Sequence, residues 1–190
     1  FCEVRVSSTC LLRPIEKPGR RLAVLVVGVT QRYYPLPTLR HVVAPAASSG
    51  YQVDYFALLI SNMARSPFSK SWLKPKPAAN PLFANMSTSS IQEYVVRHAR
   101  FYGASRVNLY FLESDISFEP FPEAWDRWFG RGSGQSTMFF NELLRLKKIE
   151  MLWNYTRSYH FEQEYSHVMV TRDDAYWVDD VYLSHFTDPR

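Results

Sequence analysis

Leu22-Ala-Val-Leu-Val-Val-Gly-Val29 is apolar at every position and rich in β-branched residues. A strand with one wet face alternates apolar and polar side chains; this one does not, so it reads as a strand covered on both faces, central in a parallel sheet. Gly28 near its end either allows close approach of a ligand to the backbone or only eases packing. Thr30, Gln31 and Arg32 follow with donors suited to a phosphate or a base.

Outward from this strand, helical and extended patterns take turns. Pro35 and Pro37 sit before or in the first turn of an expected helix through Leu39, His41 and Val43, ending near residues 48–50. Residues 51–60 read as a second strand in which Asp54 is the odd residue, either at the edge of a nucleotide site or ion-paired. Ser87 to Ser90 offer caps for a helix with Ile91, Tyr94, Val95, His98 and Phe101 or Tyr102 at helical spacing, stopped near Gly103. Val107 to Leu112 make a third strand. Residues 136–159 form the longest helix, with an expected stripe of Phe139, Leu143, Leu146, Ile149 and Trp153. Prolines at 67, 75, 77 and 81, and at 120 and 122, mark residues 61–85 and 115–135 as long loops. The order predicts an α/β fold in three layers: a mainly parallel sheet with helices on both faces. Residues 1–20 read as an irregular lead-in and 21–190 as one domain.

The composition narrows function mostly by exclusion. Hydrophobic residues make up 46% of the 190 positions, which supports a packed core and opposes disorder. The net charge of +4 is scattered and does not form runs, so a nucleic-acid partner is not expected, and Lys70, Lys74 and Lys76 lie in a proline-rich loop without a binding motif. No apolar stretch has membrane-spanning length. Cys2 and Cys10 are too few for a zinc site built on several cysteines. There is no glycine-rich dinucleotide fingerprint, phosphate loop, GxSxG elbow or HExxH helix, and the five histidines show no metal-ligand spacing.

The chemistry is concentrated near the C-terminus, in Ser166-His-Val-Met-Val-Thr-Arg-Asp-Asp-Ala-Tyr-Trp177. Val168, Met169 and Val170 read as a strand buried on both faces, with Arg172, Asp173 and Asp174 at its C-terminal end, where open α/β sheets bind ligands. Alternation puts Arg172 and Asp174 on one face and Asp173 on the other. Asp173 and Asp174, with Asp179 and Asp180 beyond, are hard oxygen ligands of the kind Mg²⁺ or Mn²⁺ takes beside a diphosphate. The competing reading is an Arg172–Asp174 ion pair that closes the sheet edge of a non-catalytic binding or scaffold domain.

Tyr-x-x-Val-Met-Val-Thr-Arg-x-Asp-x-Tyr-Trp, residues 165–177, resembles the "YD-hydrophobic-R-x-R-x-D" segment of glycosyltransferase-like proteins with a GT-A, nucleotide-diphospho-sugar transferase type domain. Arg21 to Thr30 is similar to that group's first strand and Val53-Asp-Tyr-Phe56 to its second. The resemblance implies a Rossmann-like GT-A fold, a nucleotide-diphosphate sugar as donor and a glycan or protein acceptor in the Golgi or another secretory lumen. It also implies Mn²⁺ or Mg²⁺ on Asp174, helped by Asp173. Gly28, Thr30, Arg32, Asp54 and Arg172 would then face the nucleotide sugar. Two departures stand out: the usual Asp-x-Asp is Arg-Asp-Asp here, and the sequence stops soon afterwards, at Arg190. The acceptor site and catalytic base of such enzymes commonly follow the motif, so a donor-binding half is expected and the general base stays unassigned.

Overall fold

The computed structural model describes residues 20–62, 80–83, 85–114, 134–157 and 165–186, with backbone alone at 62, 114, 134–142 and 144. The two cysteines, most of both proline-rich loops and the lead-in lie outside these residues.

Four strands, β1 (Arg21–Val29), β2 (Gln52–Asn62), β3 (Ala104–Ser114) and β4 (His167–Arg172), form one sheet in the order β3-β2-β1-β4. Every pairing is parallel. Between β1 and β2 runs α1, built of an α-helical piece Pro35–Thr38, a π-helical piece Leu39–Val43 and a second α-helical piece Ala44–Ser48. The helix α2 (Thr88–Phe101) joins β2 to β3, and α3 (Gly134–Thr156) lies between β3 and β4. None of the described helices is long and apolar enough to cross a membrane.

The apolar run of β1 divides by parity. Leu22, Val24 and Val26 pack with Tyr55, Ala57 and Leu59 of β2 beneath Leu39, Val42 and Val43 of α1 and Ile91, Val95 and Ala99 of α2. Ala23, Leu25 and Val27 pack with Phe56 and Leu58 against Leu152 of α3. Right-handed crossovers explain the division. The chain steps from β1 to β2 to β3 in one direction, which keeps α1 and α2 on one face; it then returns past β1 to β4, which puts α3 on the other. Full burial of a side chain such as Phe56 or Leu58 stabilises by roughly 1.5–3 kcal/mol, so β1 and β2, buried on both sides, are the thermodynamic centre of the sheet.

Helix ends follow local chemistry. The Ser87 hydroxyl accepts the Ser90 backbone N–H at 3.2 Å and caps α2, while Gly103 takes φ 96° just past its end, a left-handed conformation that side chains resist. Pro45 explains the π-helical piece of α1: its ring would strike the carbonyl of His41 in a regular helix, and the Ala44 N–H reaches back to the Leu39 carbonyl instead.

Two expectations need correction. Among the described residues β4 is the outermost strand, and it is not covered on both faces: Val168 and Val170 are 41% and 43% exposed, because α3 sits over β1 and β2. In α3 the expected stripe holds in part: Ile149 and Trp153 pack against the cluster centred on Leu152, which the spacing did not single out, whereas Leu146 is exposed. Of the two alternatives at the end of α2, Tyr102 makes the contact with the core and Phe101 is exposed.

Candidate functional site

In the order β3-β2-β1-β4 the direction of travel reverses between β1 and β4. Such a switch point is where open α/β sheets place their ligand crevice, at the C-terminal ends of the strands; here the segment after β4 turns to the same side as the one after β1 and lies along it. Arg32, from the 3₁₀ turn Thr30–Arg32 after β1, meets Asp173 and Asp174 from the end of β4 at this point, and Arg172 joins the cluster through Asp174.

Asp173 is the fixed member. Its side chain is 2% exposed, and its carboxylate Oδ2 accepts the Val29 N–H at 2.8 Å. Its backbone N–H donates to the Val27 carbonyl at 3.2 Å and its carbonyl accepts the Tyr34 N–H at 2.9 Å. The room for this side chain is the room left at Gly28, where a Cβ would lie 2.0 Å from Asp173 Cγ. Gly28 therefore serves close packing, with Asp173 in place of a ligand above it. Burial pushes the Asp173 carboxyl above the usual carboxylate range, opposed by the Val29 N–H and by Arg32.

Asp174 is the outward member. Its two oxygens accept from Arg172 Nε at 2.9 Å and from Arg172 Nη2 at 3.0 Å, a fork-to-carboxylate pair on the solvent side. Alternation holds to the end of β4: Arg172 and Asp174 share a side and Asp173 points to the other. The Arg32 guanidinium lies 3.5 Å from both Asp173 Oδ2 and Asp174 Oδ2, beyond good hydrogen-bond length, and its buried Nε has no hydrogen-bond partner among the described residues. The two arginines and two aspartates cancel in formal charge, yet the donors of Arg32 are incompletely used.

Thr30 and Asp54 stand elsewhere. The Thr30 hydroxyl donates to the Ile60 carbonyl at 3.1 Å in a buried position, tying the end of β1 to β2. Asp54 is fully buried and pairs with Ala23 in register, while Leu59 pairs with Gly28. Five residues at ~3.3 Å each separate these levels, so Asp54 lies about 16 Å from the crevice, toward the N-terminal end of the sheet. There it receives Arg21 Nη2 at 2.7 Å and the Tyr165 hydroxyl, with Arg106 3.9 Å away. Of the two readings of Asp54, the ion pair is the one present.

For a metal ion the donor set is narrow. Asp173 is enclosed, and among the described residues no three His, Cys, Asp or Glu side chains gather around a common point. Asp174 alone faces outward, a set that suits an ion sharing one carboxylate with substrate phosphates and water, as Mg²⁺ and Mn²⁺ do, and not an all-protein cage. Displacing Arg172 from Asp174 is cheap, about 0–1 kcal/mol for a pair this exposed. Asp179 and Asp180 are not part of this cluster: Asp179 accepts the Asp180 N–H, and Asp180 pairs with His41.

Sequence reasoning missed the partners that hold the cluster, namely Val29, Tyr34 and the room at Gly28, because they lie about 140 residues from Asp173 along the chain and carry no local signal. No family model, curated protein or solved structure matches the chain.

Proposed function

We propose that the crevice between β1 and β4 binds the diphosphate of a nucleotide sugar and that the protein is a GT-A-like glycosyltransferase transferring the sugar to a glycan or protein acceptor. One observation carries the reading: a cation with unused donors, Arg32, stands with an outward carboxylate, Asp174, at the switch point of a parallel sheet. Arg32 and Arg172 would take the phosphate oxygens, and Asp174 would hold Mn²⁺ or Mg²⁺. The metal would supply positive charge to the leaving diphosphate. Asp173, Gly28 and Thr30 support this arrangement from below by fixing the ends of β4 and β1. Arg32 is half-sheltered from water, which strengthens its field on a developing negative charge.

A second reading has its own support. The Arg172–Asp174 fork is already closed, and a binding or scaffold domain without catalysis would need nothing more at this edge. Calorimetric titration of UDP and GDP, with and without Mn²⁺, into the wild type, Arg32→Ala and Asp174→Asn separates the two. Metal-dependent binding that is lost in both variants supports the donor site. A folded wild type that binds neither nucleotide supports the ion-pair reading.

A further inference from the structure

The chain does not leave the crevice after Asp174. Residues 175–183 run back along α1 as a strap. Trp177 Nε1 donates to Thr38 Oγ1 at 3.2 Å, the Val181 N–H donates to the His41 carbonyl at 2.8 Å, and Leu183 is buried in the core under α1 and α2. His41 also engages the strap through its ring, Nδ1 lying 2.9 Å from Asp180 Oδ1. An ionised carboxylate only accepts, so Nδ1 carries the hydrogen.

The socket for this strap is made by a proline. In a regular helix the His41 carbonyl would be served by the N–H of residue 45, and Pro45 has none. Pro45 thus denies His41 its helical donor, and the Val181 N–H supplies one from outside the helix. One residue, His41, then holds the strap by carbonyl and imidazole together, at Asp180 and Val181, six and seven residues beyond Asp174. The near end of the strap is that turn itself: Ala175 N–H donates to the Arg172 carbonyl, and the Asp173 carbonyl accepts Tyr34 N–H from the residue preceding α1.

We propose that His41 is a positioning residue for the crevice: the latch it forms with Asp180 and Val181, over the gap made by Pro45, holds the Asp173–Asp174 turn in place against β1. The latch is a property of the chain alone; its effect on binding rests on the nucleotide reading above. Release of the strap frees the turn, and Asp174 and Arg172 leave register with Arg32.

Amide hydrogen exchange on the ligand-free protein tests it, with Tyr34 and Val29 reporting on Asp173, Val181 reporting on the latch, and the Ile91 amide, bonded to the Ser87 carbonyl, as a control in α2. Asp180→Ala, at an exposed position, and Pro45→Ala, which returns a helical donor to His41, should each speed exchange at Val181 and Tyr34 together by about tenfold, with Ile91 unchanged. Asp180→Asn should restore much of the protection, since its amide oxygen still accepts from Nδ1. Acceleration at Val181 with Tyr34 and Val29 unmoved overturns the proposal, as does a wild-type Val181 amide that exchanges without protection. Failure of nucleotide binding with the coupled exchange intact would count against the proposed ligand and leave the latch standing.

Discussion

Replacing Gly28 with alanine tests the packing on which the crevice depends. The added Cβ would sit 2.0 Å from Asp173 Cγ, 2.1 Å from its Cβ and 2.4 Å from its Oδ1, all far inside contact distance. β1 is bonded on both edges, to β2 and to β4, so its backbone has little room to retreat. Asp173 must move. Its departure leaves the buried Val29 N–H without an acceptor, about 1–3 kcal/mol, and the forced repacking adds about 1–3 kcal/mol. Gly28→Ala should therefore destabilise by about 2–6 kcal/mol, a large share of a typical domain's stability. Urea unfolding of Gly28→Ala alone, in Asp173→Gly and in Asp173→Ala distinguishes this from a general strand effect. Asp173→Gly removes the three atoms nearest the new Cβ, so Gly28→Ala should cost far less there. Asp173→Ala keeps the Cβ at 2.1 Å, so the alanine at position 28 should still be costly. A Gly28→Ala protein within about 0.5 kcal/mol of wild type, or an equal cost in the Asp173→Gly background, would refute the reasoning.

Asp54→Ala should lose about 3–5 kcal/mol in urea unfolding by stripping Arg21 and Tyr165 of a buried partner, while the nucleotide binding proposed above is unchanged in the folded variant; a parallel loss of binding would put Asp54 in the site. The Tyr33 and Tyr55 hydroxyls meet at 2.7 Å in the core, and burial raises both phenols above the ordinary value of about 10. The folded state then holds protons that the unfolded state releases, so stability present below pH 10 falls as the pH rises beyond it, by about 1.4 kcal/mol per pH unit for each phenol. Tyr55→Phe should reduce that slope by one phenol's worth, and an unchanged slope in alkaline urea titrations would count against it. Gly103→Ala should cost about 1–3 kcal/mol, because φ 96° disfavours a side chain and the new Cβ would lie 2.7 Å from Ala47 Cβ; a thermal melt matching wild type would contradict this.

The strands and helices were largely legible because their signals are local. β1 is an unbroken apolar run, α2 has a serine before it and a glycine after it, and the alternation of the two element types implies parallel crossovers. The position of β4 was not legible, since Val-Met-Val reads alike in a central strand and an outer one; only the sheet order tells them apart. The acidic turn at the end of β4 could be placed from the sequence, and so could the shared side of Arg172 and Asp174. Asp54 and Arg32 resemble each other as lone charges near strands, yet strand register puts them at opposite ends. The job of Gly28 depends on Asp173, a contact that no short-range pattern encodes.

The outer position of β4 also matters for how the protein behaves at high concentration. Val168 and Val170 stand exposed on a strand that carries no lysine or proline, the residues that usually keep a sheet margin from recruiting a neighbour. A solution of this chain should therefore cloud on gentle warming before its core melts, in a manner that steepens with protein concentration. Val170→Lys, on the side of β4 away from Asp173, would keep such a solution clear without disturbing the crevice.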